Sequence, residues 1–379
     1  MGFVLTEDQE LIRKTARSFV QAQLPVTHLR KLRDEKDATG FSRSAWRELA
    51  ANGLVGAALP ESDGGGGLGY AELGLVLEEC GRTLAPTPFL STVLLSANAV
   101  ALAGTPEQRA QVLPGIAQGE RVIAFAHEEG TRFRRWPIQT KATPTADGFR
   151  IVGDKSFVLD GNVADSIIVV ARTSGADDSQ EGLTFFLVPR GVPGLGIQRR
   201  VDIDSRNAAR VIFDRVDVPA SAIIGEAGRA GLILDQVLDR ATAGLCAEML
   251  GGALEAFDRT LAYLKVRKQF GVPIGSFQAL KHRAAWMFAE LELSKSIVAA
   301  ALRAIDANSP DVPTLVSTAK ARMNETAILV ASEAIQMHGG IGATDELDIG
   351  LFYKRAHVAA QTFGNAAYHR DRFARLSGY

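Results

Sequence analysis

The chain reads as mostly α-helical with a small β domain at its centre, and three observations carry that reading. Apolar residues recur at the helical period from the start to about residue 118, and again from about 224 to the end. Between those points the period falls to two, in short runs rich in Val, Ile, Phe and Thr. The last part holds four long helical runs joined by short turns, the pattern of a helix bundle. The expected domains are an N-terminal helical domain over 1–118, a middle β-barrel or sandwich over 119–223 and a C-terminal four-helix bundle over 224–379.

The first helix opens at Thr6, a good N-cap, with Glu7, Asp8 and Glu10 in the turn where the helix dipole favours acids. Leu11, Ile12, Ala16, Phe19 and Val20 form its expected buried face. "SDGGGGLGY" (62–70) is a loop before a helix from about Ala71 to Cys80. Its four glycines fit neither the dinucleotide fingerprint nor the P-loop spacing, and no Lys-Ser/Thr follows, so it reads as a surface turn. "GTPEQRAQVLP" (104–114) is a short helix with Pro106 in its first turn.

The middle runs are "RVIAFAH", "IQTKATP", "GFRIVGDKSFVL", "SIIVVART", "LTFFLVP", "GIQRRV" and "ARVIFDRVDVP", divided by Gly, Asp, Asn and Pro at barrel-like intervals. Beyond them, one helix is expected from about Gly228 to Arg267, with Leu234, Leu238, Leu245, Met249, Ala256 and Leu264 on one stripe. A second runs from Ser276 to about Ala307 and stops before Pro310. A third opens at Pro313 and ends at Gly339-Gly340, and a fourth covers about Asp345 to Thr362.

Composition narrows the function classes. With 42 basic and 43 acidic side chains the net charge is -1, which argues against a nucleic-acid footprint. No apolar run reaches membrane-span length, and the acidic opening is unlike a signal peptide, so a cytoplasmic protein is expected. Met1-Gly2 matches a myristoylation start, but Thr6 and the acids after it belong to a helix, so no lipid anchor is expected. Cys80 and Cys246 read as buried small hydrophobes rather than a disulfide, and no Cys/His cluster suggests a metal.

Two segments have the look of ligand chemistry. "YLKVRKQFGVPIGSFQALKHRAAWM" (263–287) ends one helix in basic residues, turns at Gly271 and Pro273, and restarts at Ser276. On physical grounds it is equally a helix corner whose Arg267 and Lys268 suit the helix dipole, or a phosphate site with Arg267 as the charge and Phe270 packed on the ligand. "QMHGGIGAT" (336–344) is a glycine turn after a helix, suited to close backbone approach but equally to helix termination.

Taken together, and with "LTEDQELIRKTARSFV", "LPESDGGGG", "GTPEQRAQVLPGIAQGE", "FDRVDVPAS" and "QMHGGIGATDELDIGLFYKRA", these segments make the chain resemble the acyl-CoA dehydrogenase flavoenzymes over nearly its whole length. The resemblance implies a helical domain, a β domain and a four-helix bundle assembled into tetramers, with FAD extended across a subunit interface. It implies an acyl-CoA substrate, and an electron-transfer flavoprotein or equivalent as electron acceptor. The flavin ring would lie against one subunit's middle domain and bundle. The adenine and pyrophosphate end would be held by the neighbour's Arg-x-x-Phe corner and Gln-x-x-Gly-Gly-x-Gly turn. Those positions are Arg267, Gln269, Phe270, Ile274, Phe277, Gln336, Gly339, Gly340 and Gly342, all intact here.

The chemistry side departs from the family. Its reaction removes an α-proton with a glutamate and passes the β-hydrogen to the flavin as hydride. Aligned from Gln336, the usual glutamate position is Phe363; aligned from Arg267, the alternative one on the first bundle helix is Ala241. Asp239 lies about 200° around the helix from Ala241, and Glu248 lies about two turns away, so neither replaces it. The flavin-contacting "T-E-P-G-A-G-S-D" is here "HEEGTRFRRWP" (127–137), with His127 for a hydroxyl residue and arginines for the Ser-Asp turn. "W-I-T-N-G" is here "FVLDG" (157–161), keeping an aromatic at Phe157 but placing Leu159 where a hydroxyl usually reaches the ring.

This pattern is similar to the smaller, non-catalytic subunit of bacterial heterotetrameric acyl-CoA dehydrogenases, relatives of which act on bulky CoA thioesters such as steroid side chains, or on dicarboxylic chains. The resemblance then implies an α2β2 assembly whose homologous partner carries the glutamate. Two alternatives stand beside it: a self-sufficient homotetramer using Asp239, Glu128 or Glu129 as base, and a structural relative holding neither FAD nor substrate. "HRD" at 369–371 matches part of a kinase loop, but Leu376 stands where its asparagine belongs, so it reads as the start of a closing helix. His338 reads as a turn residue.

Overall fold

The computed structural model describes residues 4–379; Met1 and Gly2 lie outside the described residues. The helices before the sheet are α1 (Glu7–Gln23), α2 (Val26–Asp34), α3 (Arg43–Ala51), α4 (Tyr70–Arg82), α5 (Asn98–Ala103) and α6 (Pro106–Ala117). Thr6 caps α1 in a capping box with Gln9, and Thr105 caps α6 in the same way with Gln108. The buried stripe of α1 runs through Ala16 and Val20, whereas Leu11 is 63% exposed. One residue of helix rotates by about 100°, and that carries Leu11 off the stripe Ile12 shares with Ala16.

Eight strands follow: β1 (Ile123–Ala126), β2 (Lys141–Pro144), β3 (Gly148–Leu159), β4 (Ser166–Arg172), β5 (Leu183–Pro189), β6 (Leu195–Val201), β7 (Asn207–Pro219) and β8 (Ile223–Ile224). They hydrogen-bond in the order β6-β7-β3-β2-β4-β5-β8, with β1 parallel to β4 from Ile123↔Ser166 to Ala126↔Val169. The β3–β7 pair shifts register twice, between Ile151 and Gly153 and between Lys155 and Val158. Such bulges bend a long strand.

The C-terminal elements are α7 (Ala230–Val266), a hairpin of β9 (Lys268–Gln269) and β10 (Val272–Pro273), α8 (Gln278–Asp306), α9 (Val312–His338), α10 (Ile349–Gln361) and α11 (Ala366–Leu376). Leu234, Leu238, Leu245, Met249, Ala256 and Leu264 of α7 are all buried. "HRD" falls inside α11.

By compactness the chain forms two units. One comprises the residues up to Lys31, Gly69–Ala85 and Thr242–Tyr379; the other comprises Leu32–Leu68 and Pro86–Ala241. In the first, α9 packs against α8, α10 and α11, and α4 packs against α1 and α8. Arg17 of α1 grips Glu79 of α4 with two bonds, at 2.7 and 3.0 Å, and Glu79 is 1% exposed. Helices α4 and α7 meet backbone to backbone: a Cβ on Gly251 would lie 1.8 Å from Glu78 O, and one on Gly81 would lie 2.0 Å from Glu248 O. Only glycine permits that approach.

The second unit has its core around the sheet. The segment Phe89–Ala97, which shows no readable period in its sequence, is π-helical and buried throughout. Its hydroxyls are committed: Ser91 donates to Asp160 at 2.6 Å, and Ser96 donates to Ile123 O at 2.9 Å. Cys80 and Cys246 are free and buried. Among the described residues no helix is long and apolar enough to cross a membrane, and no group of side chains is arranged to hold a metal.

Candidate functional site

α10 ends at Gln361, and the chain turns through Thr362–Asn365 into α11. Phe363 in that turn is 4% exposed, with its backbone at φ 59°. A bulky residue rarely takes this left-handed conformation. The surrounding carbonyls explain how it is held. His369, itself fully buried, donates from Nε2 to Phe363 O at 2.9 Å. Lys320 Nζ donates to Ala359 O at 2.8 Å, Gly364 O at 3.3 Å and Asn324 Oδ1 at 2.6 Å. Asn324 Nδ2 adds a bond to Gly364 O at 3.2 Å. Lys320 is fully buried, with no carboxylate partner among the described residues, and burial pushes its amine down to about 7.

Ala241, the alternative position expected for the base, is fully buried in α7. The nearby acids are largely engaged. Asp239 accepts from Arg135 Nη2 at 2.6 Å, both side chains being buried. Glu248 pairs with Arg355 at 3.3 Å. Glu129 accepts from Lys155 Nζ at 2.7 Å and from the backbone N–H groups of Gln139 and Thr140 at 2.5 and 2.9 Å. Burial acts to raise the Glu129 pKa, but Lys155 and these bonds hold it below the usual range. Burial lowers Lys155 to about 8 despite its partner. Glu128 differs: among the described residues its carboxylate has no hydrogen-bond or ion-pair partner, and burial pushes it up to about 7 against the pull of Arg200.

The 127–139 segment is tightly supported. His127 is 3% exposed, its Nε2 lies 2.8 Å from Arg135 O, and burial lowers its pKa to about 4. Arg172, buried at the end of β4, donates to the carbonyls of Trp136 at 3.0 Å and Ile138 at 3.1 Å. Phe157 lies under the Arg200 guanidinium at 5.5 Å, and Leu159 is buried.

The basic corner after α7 is a two-residue hairpin. Phe270 and Gly271 stand between β9 and β10 at φ 52° and 81°, the positive pair a type I′ turn requires. Phe270 is 90% exposed in that conformation, edge-on to Phe277 at 6.1 Å. Arg267 and Gln269 are exposed and Ile274 is half-buried. No side-chain hydrogen bond or ion pair engages the Arg267 guanidinium among the described residues, while its carbonyl accepts from Ile274 N at 2.8 Å. The glycine turn lies alongside, because Tyr263 of α7 stacks on His338 of α9 with ring centroids 4.4 Å apart. Arg267 follows Tyr263 by one helical turn, and Gly339 follows His338 directly. His338 is not a turn residue but the buried last residue of α9, with its Nδ1 2.7 Å from Ala334 O. Gln336 is exposed. Gly339 at φ 68° and Gly340 have open space where a Cβ would stand, whereas one on Gly342 would strike Ile335 O at 2.7 Å. A free guanidinium beside open glycine backbone fits a pyrophosphate-bearing cofactor.

Family comparison decides the lineage. The acyl-CoA dehydrogenase N-terminal domain matches residues 6–120, the middle domain 127–216 and the C-terminal domain 231–377. The chain belongs to the acyl-CoA dehydrogenase family. Acyl-CoA dehydrogenase IpdE2 of Mycolicibacterium smegmatis is 32% identical, covering 95% of this chain and 96% of its own. Butyryl-CoA dehydrogenase of Megasphaera elsdenii superposes with a TM-score of 0.90 at 27% identity, covering 100% of both chains. The ChsE4-ChsE5 complex of Mycobacterium tuberculosis also gives 0.90, at 26% identity and 100% of both chains. Acyl-CoA dehydrogenases are FAD-dependent oxidoreductases.

Sequence reasoning missed Lys320, which donates to carbonyls of the Phe363 turn, and Arg135, which engages Asp239. Lys320 had a signal: in "VSTAKARMNETAILV" it sits on a helix of small and apolar residues, an unusual setting for an ammonium. Arg135 had none, because its partners Asp235 and Asp239 lie about a hundred residues on.

Proposed function

We propose that this chain is the accessory subunit of a heteromeric acyl-CoA dehydrogenase, holding the adenine-pyrophosphate end of FAD for a homologous partner that supplies the catalytic glutamate. The observation that carries this is Phe363, buried and in a left-handed turn, at the position where the family places its base. With Ala241 at the alternative position, neither usual site has a group able to take a proton. Meanwhile Arg267 remains free and exposed beside Gly339 and Gly340, a surface built to reach outward. Seven large apolar side chains in the same region are exposed: Val266, Phe270, Val272, Phe277, Trp286, Phe288 and Leu293. That many exposed apolar side chains on and after the corner support a subunit contact. The ChsE4-ChsE5 complex offers the precedent of two differently named chains joined on this fold.

In this reading Arg267 and Gln269 hold the pyrophosphate, Phe270, Ile274 and Phe277 pack on the adenosine, and Gln336, Gly339, Gly340 and Gly342 bring backbone against it. Bound FAD supplies the hydride acceptor for α,β-dehydrogenation of an acyl-CoA. This chain contributes affinity and orientation rather than proton transfer. An α2β2 assembly, an electron-transfer flavoprotein as acceptor and a cytoplasmic location complete the proposal; the two buried, unpaired cysteines suit a reducing compartment.

A second reading is favoured by Glu128, whose unengaged carboxylate is pushed up to about 7, near the value a general base needs. In it the chain is a self-sufficient homotetramer. Flavin absorbance and turnover separate the two: the chain purified alone is expected to be nearly colourless and inactive, and to gain both properties with a homologous partner. Full FAD occupancy and turnover alone, abolished by Glu128→Gln, would establish the second reading instead.

A further inference from the structure

The end of α7 carries Arg259, Tyr263 and Arg267, spaced four residues apart. The helical ladder reaches the last of them, since Arg267 N donates to Tyr263 O at 2.9 Å. Residues at this spacing share one face of a helix, about 6 Å further along the axis at each step. We infer that Arg259 and Tyr263 are positioning residues: the stripe they form with Arg267 fixes the glycine turn relative to the Arg267 guanidinium, and so sets how firmly the diphosphate end of the cofactor is held. The inference rests on the reading that Arg267 and this turn hold FAD.

The turn needs outside support. From Gly339 to Glu346 every residue except Gly342 is exposed. Glycine loses more conformational freedom on ordering than any other residue, and this segment holds Gly339, Gly340 and Gly342. Its own bonds are local: Thr344 donates to Ile341 O from its backbone N at 3.1 Å and from Oγ1 at 2.8 Å.

The stripe grips the segment at both ends. Upstream, Tyr263 stacks on His338 with ring planes 29° apart, and the bond between His338 Nδ1 and Ala334 O fixes the ring beneath it. Downstream, Arg259 Nη1 donates to Asp348 Oδ2 at 2.7 Å, and its guanidinium lies 5.4 Å from the centre of the Phe352 ring in the first turn of α10. Arg30 of α2 takes the other Asp348 oxygen at 2.6 Å and reaches Asp345 at 3.2 Å. Arg259 is steadied in turn by Glu255 at 2.8 Å. One helix thus holds His338, Asp348 and the free guanidinium in fixed relation, and a ligand meets a turn already in place. The Arg259–Asp348 pair is partly open to solvent, so it adds little to global stability and acts locally.

Hydrogen exchange of the chain alone tests the device without the cofactor. Exchange across residues 339–352 is expected to quicken about fivefold in Tyr263→Leu and in Arg259→Met, and to stay at the wild-type rate in Tyr263→Phe, which keeps the stack. Exchange in α8 should not change. Flavin fluorescence of the assembled complex on dilution tests the use of the device: Tyr263→Leu and Arg259→Met are each expected to release FAD about fivefold faster, and Tyr263→Phe to match the wild type. In an Arg267→Ala background the same substitutions should add little, because the charge they align is gone. Wild-type exchange or wild-type release in Tyr263→Leu and Arg259→Met, or a full additive effect in the Arg267→Ala background, would overturn the inference. FAD release unaffected by Arg267→Ala would instead remove the cofactor reading, and the exchange result alone would then decide whether the stripe orders the turn.

Discussion

Arg135 Nη2 donates to Asp239 Oδ1 at 2.6 Å, with both side chains almost sealed from water. Arg135→Met leaves that carboxylate buried without its cation, a change that costs about 3–5 kcal/mol. Urea denaturation is expected to show the loss in the single variant and a partial recovery in Arg135→Met/Asp239→Leu. An unchanged midpoint in Arg135→Met would mean that the pair does not hold α7 to the 127–139 segment.

Lys320 gives a pH-dependent prediction. Its pKa in the folded chain, about 7, lies below the ordinary lysine value, so between pH 7 and 10 the unfolded chain binds more protons. Stability from this group therefore rises as pH goes up through that window; below pH 7 the folded state bears the full cost of a buried ammonium. Comparing wild type with Lys320→Met isolates the effect from Lys155 and the cysteines. The variant is expected to lose that part of the slope, and to lose about 1–3 kcal/mol at pH 9 because Ala359 O and Asn324 Oδ1 no longer have a donor.

Installing the family's base is not expected to install its activity. Phe363→Glu in the chain made alone should yield no acyl-CoA turnover, with stability lowered by about 1–3 kcal/mol for a carboxyl placed at a buried position. Turnover appearing in that variant would show that this chain forms its own flavin pocket.

The Arg267 corner separates stability from cofactor retention. Phe270→Gly removes the side chain that the left-handed conformation penalises by about 1–2 kcal/mol, so the chain should melt higher. In the assembled complex the same variant and Arg267→Ala are each expected to release FAD about tenfold more readily, measured by flavin fluorescence during dilution. Equal retention would remove the corner from the cofactor site.

The two kinds of information in the sequence behaved differently. Helix and strand positions rest on local periods, so α7, α8, α9 and α10 fall within a few residues of their expected ends. The π-helical Phe89–Ala97 escaped because nine nearly all-apolar residues, sealed on every side, have no polar face to set a period. Motifs with fixed spacing made Arg267 and Phe363 visible. The engagement of Asp239 by Arg135, and of the Phe363 turn by Lys320, required contacts between residues far apart in the chain, which no local pattern encodes.

The carbonyls of Ala359, Phe363 and Gly364 are gripped by Lys320, Asn324 and His369, and none of those bonds involves the side chain at 363. The bend is thus held through the backbone and its three anchors. Such a socket lets a lineage exchange a proton acceptor for a phenylalanine, and back again, without rebuilding the turn. Loss of chemistry in one copy of a duplicated subunit would then require one substitution rather than a new fold.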